Sequence, residues 1–164
     1  EFSTAAKIAP DNLDTQLKLA TFLFLGKQMA PSREKVDLVL AAEPENVEAL
    51  MLRAGLDERE ERYDEALATY EKVRRIDNER VGAYLGAARV QLLAGRPEDA
   101  EATLIEAGQV SPEGLEAPMA LFRFYAGQGQ LQKARQGQQQ MQQSRLMQEK
   151  WQPRLAKRSE RSLV

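Results

Sequence analysis

The chain has no cysteine and no histidine. Those absences exclude disulfides, thiolate and imidazole metal ligands, cysteine nucleophiles and any histidine proton relay. They are equally compatible with cytosol and periplasm, so the compartment stays unassigned. Aromatic residues make up only 6% of the chain, and no long Val/Ile/Thr alternation argues for strands. LATFLFL at 19–25 falls well short of the ~20 apolar residues that span a bilayer, and it reads as helix core. A glycine-rich phosphate loop, metal-ligand spacing and a nucleophile–base pair are all missing, which leaves no cofactor and no catalytic residue to assign.

What is present is a helix-former's palette. Hydrophobic residues reach 43%, and Ala, Leu, Glu, Gln and Arg dominate the 164 residues. Net charge is −2, but residues 131–164 carry eight Lys/Arg against two Asp/Glu, leaving an acidic body with a basic tail.

The informative feature is a period. Pro10, Pro44, Asn78 and Pro112 mark helix-stopping turns at a constant spacing of 34 residues. Ala66, Ala100 and Ala134 keep the same spacing, with Ser32 in phase, and so do Ala20, Ala54 and Ala88. Each unit splits into two apolar-periodic halves, such as Val47, Leu50, Met51 and Ala54, then Ala66, Leu67, Tyr70 and Val73. Between the halves lies a polar break, occupied by Gly95 and Gly129 in the later units, where glycine's left-handed conformation lets a helix reverse. The units are therefore antiparallel helix pairs. One pair cannot bury its apolar face alone, so neighbouring pairs must stack.

The 34-residue length, the small residues of both helices, the large residues four places later (Val36, Tyr70, Leu104) and the closing prolines together resemble the tetratricopeptide repeat family. Arg53, Asp57, Pro118 and Gln138 depart from its pattern. The resemblance implies an all-α, right-handed superhelical solenoid of about four repeats. Its expected parts are the end of a truncated repeat at 1–12, repeats at 13–46, 47–80, 81–114 and 115–148, and a basic tail at 149–164. Phe2 and Ala5 fall at the phases of Val36 and Val39, so the visible chain is expected to start inside a repeat, as a piece of a longer array. Any signal peptide would then lie upstream.

The resemblance also implies a groove on the first helices of the pairs, with contacts at fixed places in each unit. These are Leu17, Thr21 and Phe24; Met51, Glu58 and Arg59; Leu85, Arg89 and Leu92; and Met119 and Arg123. Leu25 and Leu93 share the phase of Arg59. Leu and Met suit an apolar peptide face, and Arg89 and Arg123 are candidates to clamp a carboxylate. The Lys and Asn array by which chaperone-binding members hold a C-terminal carboxylate is absent. The run DEREERYDE at 57–65 reads as a solvated face with pairs such as Glu58–Arg62.

The Gln-rich tail keeps helical phase to about Trp151, and Pro153 should end the helix. It is expected to cap the last apolar face; Met141, Met147 and Trp151 would be its contacts if it instead pairs with another chain. Nucleic acid is the weakest partner reading because the body is acidic. The function that follows is a non-catalytic scaffold for a protein or peptide partner. The rival is a structural spacer or self-assembly module, a homo-oligomer included, with no dedicated ligand.

Overall fold

The computed structural model describes residues 12–137. Seven helices are defined in that range: α1 (Leu13–Leu25), α2 (Met29–Ala42), α3 (Val47–Arg59), α4 (Tyr63–Ile76), α5 (Val81–Leu93), α6 (Pro97–Val110) and α7 (Glu116–Gly127). Residues 131–137 are helical as well, and no described residue lies in a strand. The chain divides into two compact units at Ser111/Pro112. The truncated repeat expected at 1–12 and the tail residues Met141, Met147 and Trp151 lie outside the described residues, apart from Asn12.

In the first unit the pairs α1–α2, α3–α4 and α5–α6 pack along their lengths, and each second helix packs on the next first helix. Start signals repeat with the sequence period. Asn12 and Asn46 cap α1 and α3 by accepting from the backbone N–H groups of Thr15 and Ala49, at 2.9 and 3.0 Å. An Asn side chain there satisfies one of the N–H groups that a helix start leaves orphaned.

The reversals repeat too. Lys27, Glu61, Gly95 and Gly129 all adopt positive φ, between 59° and 73°. The next residue in each turn donates its N–H to the carbonyl five residues back: Gln28 to Leu23, Arg62 to Asp57, Arg96 to Gln91 and Gln130 to Tyr125, at 2.8–2.9 Å. This bond closes a Schellman turn. Gly95 and Gly129 were legible in the sequence, but Lys27 and Glu61 perform the same reversal without glycine. A side chain in the left-handed region costs on the order of 1 kcal/mol. Glu61→Gly is therefore expected to raise stability by up to about 1 kcal/mol in chemical denaturation, less what glycine loses in unfolded-chain entropy.

Small residues set the closest approaches. Ser32 is fully buried and donates its hydroxyl to the Ala20 carbonyl at 2.8 Å, joining α2 to α1. The main core gathers Leu50, Ala54, Ala66, Tyr70, Val73, Ala83, Ala87 and Val90 from α3, α4 and α5. A smaller cluster joins Ala20, Val36 and Leu56.

In the second unit, α7 buries Ala117 and Phe124, and the helical residues that follow bury Ala134. Pro118 sits in the first turn of α7, where its missing N–H has no helical partner to lose. Tyr125 packs edge-on to Phe124, and Lys133 lies over the Tyr125 ring.

Candidate functional site

Within the first unit, α1 touches α3 and α3 touches α5, so the first helices of the three pairs share one face. Their register is fixed by contacts between residues 31 apart, one repeat less about one helical turn. Phe24 reaches across to Gly55, where an added Cβ would stand only 3.3 Å from the ring carbon Cζ. Met51 reaches Gly82 in the same way, with its methyl 3.4 Å from where a Cβ would lie. Glu58 and Arg89 form a bidentate pair, with Nε and Nη2 donating at 2.6 and 2.5 Å. Glycine at 55 and 82 thus makes room for a side chain from the preceding repeat.

Of the expected groove residues, the structure brings Leu17, Thr21, Phe24, Met51, Glu58, Arg59, Leu85, Arg89 and Leu92 onto these three helices. Leu17, Phe24, Met51, Glu58 and Leu85 are half-buried, whereas Thr21, Arg59, Arg89 and Leu92 are exposed. The Thr21 hydroxyl is used within its own helix, donating to the Leu17 carbonyl at 3.0 Å. Arg59 stacks its guanidinium over the Phe24 ring at 5.0 Å. Met119 and Arg123 belong to α7 in the second unit, and both are exposed.

Two local readings of the charged run change. Glu58 pairs with Arg89 of the next repeat, not with Arg62. The Glu58 carboxylate holds the Arg89 guanidinium charged above its ordinary range, so the cation expected to clamp a partner is already engaged. The neighbouring Tyr70 phenol is pushed up from its ordinary value by burial, against the opposing pull of Arg89.

Arg59, Glu60, Glu61, Asp64 and Glu65 are exposed as a solvated face requires, but the first residue of the run is not. Asp57 is only 3% exposed. Its Oδ1 accepts from Arg33 Nη2 at 2.9 Å and from Arg62 Nη2 and Nε at 2.7 and 3.1 Å. Arg53 Nε lies 3.5 Å from Oδ2. Glu60 closes the network on Arg33 and Arg62, and Asp37 pairs with Arg53. Hydrogen bonding to Asp57 raises the Arg62 pKa. The sequence did mark Arg53 and Asp57 as departures from the repeat pattern. Their partner Arg33 stands 24 residues before Asp57, in the preceding repeat, and no local spacing points to it.

A family model, tetratricopeptide repeat, matches residues 59–110. Residues 59–110 are therefore tetratricopeptide repeat sequence. The match runs from the end of α3 through α6. No curated protein sequence matches. Solved structures are similar over most of the chain. One is TTC0263 of Thermus thermophilus, with 21% identity and a TM-score of 0.74 over 99% of this chain and 87% of that one. MamA is similar at 15% identity and a TM-score of 0.71, covering 91% and 87%. YrrB, described as a tetratricopeptide repeat protein with an unusual peptide-binding site, is similar at 19% identity and 0.64, covering 84% and 71%. At these identities the likeness is one of fold.

Among the described residues, no cluster of acidic side chains is arranged to hold a metal ion. No helix in that range is long and apolar enough to cross a membrane.

Proposed function

We propose that this chain is a non-catalytic scaffold that takes a segment of a partner protein along the shared face of α1, α3 and α5. The observation that supports this most is the combination of exposed leucine with fixed register on that face. Leu25 is 73% exposed, Leu93 52% and Leu92 37%. Beside them, Phe24, Met51, Glu58 and Arg89 are held by the adjacent helices. Apolar side chains left in water on a pre-organised surface bind with little ordering cost. The fold shared with YrrB, a protein with a peptide-binding site of its own, supports the same reading. On the second unit, α7 offers a separate exposed pair for a partner, Met119 and Arg123, one helical turn apart. Arg123 pairs with no carboxylate among the described residues, in contrast to Arg89.

The test uses a fluorescent peptide obtained by selecting a random-sequence library on the full chain. The double substitution Leu25→Glu with Leu92→Glu alters two exposed positions and should leave the helical circular dichroism unchanged. Affinity for the selected peptide should fall at least about tenfold, equivalent to ~1.4 kcal/mol. Unchanged affinity would remove the face from the proposal. Arg89→Glu is a poorer probe, because it also sets two carboxylates against each other at Glu58. Light scattering separates the rival: a dimer that the same double substitution dissociates would mean that a second copy occupies the face.

A further inference from the structure

The chemistry of the bound segment can be narrowed, on the reading that a partner lies along this face. We infer that the segment adopts a polyproline II conformation and carries an acidic side chain, with apolar side chains three residues before and three after it. Leu25, Arg59 and Leu93 occupy the same phase of three successive repeats, at the C-terminal ends of α1, α3 and α5. All three are exposed. The contacts from Phe24 to Gly55, from Met51 to Gly82 and from Glu58 to Arg89 keep these helices in one register, so the three side chains form a row.

Helices in contact lie about 8–10 Å apart, and one three-residue turn of polyproline II chain advances about 9 Å and returns its side chain to the same side. One such segment can therefore set every third side chain on the row, which a β-strand, with side chains on alternate faces, cannot. Both ends of the row are leucine, which selects apolar partners by burial. The middle is a cation.

Arg59 differs from the other arginines of these helices. Arg53 is taken by Asp37 and Asp57, and Arg89 by Glu58. The carboxylate that follows Arg59 in sequence, Glu60, is bound to Arg33 and Arg62. Arg59 itself meets the Phe24 ring and no carboxylate among the described residues. Stacking on a ring leaves the N–H edges of the guanidinium available, and those edges match a carboxylate in a two-bond fork. Lying over an apolar ring also lowers the competition from water for that fork.

The experiment repeats the library selection on the full chain and on Arg59→Glu. The native chain should enrich peptides with apolar–x–x–acidic–x–x–apolar spacing. The variant should keep the apolar flanks and switch the centre to Lys or Arg. In direct titration, a synthetic peptide with a Leu–Gly–Ser–Glu–Gly–Ser–Leu core should bind the native chain at least about tenfold tighter than its Lys-centred twin, and the order should reverse on the variant. Binders that depend on Leu25 and Leu92 yet show the same central residue on both chains would overturn this inference alone. Binders indifferent to Leu25 and Leu92 would overturn the scaffold reading beneath it.

Discussion

Asp57→Ala lowers the stability of the first unit by about 2–3 kcal/mol, the largest loss expected of any single side-chain truncation outside the apolar core. Removing the buried member of an ionic network costs about 3–5 kcal/mol when its partners are fully buried and left unpaired, whereas Arg33 and Arg62 would keep Glu60 and Arg53 would keep Asp37. Here the guanidiniums are partly open to water. Arg33 keeps 18% of its side chain exposed and Arg53 35%, and both can recover some hydration. That discount brings the expected loss below the full range. Asp57→Asn keeps the shape and one acceptor, so it should cost about half as much. The sole tryptophan is Trp151, outside the first unit, so far-UV circular dichroism in a urea titration is the appropriate readout. A midpoint unchanged by Asp57→Ala would mean that Glu60 and Asp37 suffice to hold the arginines. Added salt should reproduce little of the loss, since a buried pair is weakly screened.

Gly86→Ala should be destabilising by about 1–2 kcal/mol, against the sign that helix propensity assigns to it. In a helix interior, alanine is favoured over glycine by about 1 kcal/mol. At this place a Cβ would stand 2.4 Å from Tyr70 Cζ and 2.5 Å from Cε1. Tyr70 is 2% exposed and packed among Ala54, Ala66, Val73 and Ala83, so its rigid ring cannot swing clear without disturbing the core. Overpacking of this kind costs about 1–3 kcal/mol and outweighs the propensity gain. The double-substitution cycle isolates the cause. With Tyr70→Leu already in place, Gly86→Ala should become neutral or stabilising. A native-background Gly86→Ala that raises the denaturation midpoint would show that the ring is free to move.

These residues indicate where the sequence was legible. The 34-residue period and the small residues at closest approach follow from single-residue chemistry repeated at fixed intervals, and the all-helical stacked pairs follow from them. Gly95 and Gly129 marked their turns because glycine is cheap at positive φ, whereas Lys27 and Glu61 carry no local sign of the same conformation. Within the charged run at 57–65, Asp57 was misread because surface and buried carboxylates have the same composition. What distinguishes Asp57 is the arrival of Arg33 from the preceding pair. Arg89 was legible as a residue of the shared face but not as the partner of Glu58, since that pairing needs the register between α3 and α5. Gly86 drew no notice because the reason for it is a ring from α4.

The central claim is that the face of α1, α3 and α5 is where a partner lies. Backbone hydrogen exchange of the full chain, with and without a saturating library-selected peptide, tests it most directly. Added protection should concentrate in the C-terminal halves of α1, α3 and α5, around Leu25, Arg59 and Leu92, and leave the outward sides of α2, α4 and α6 unchanged. Protection confined to α2, α4 and α6, or absent from all three first helices, would contradict the account.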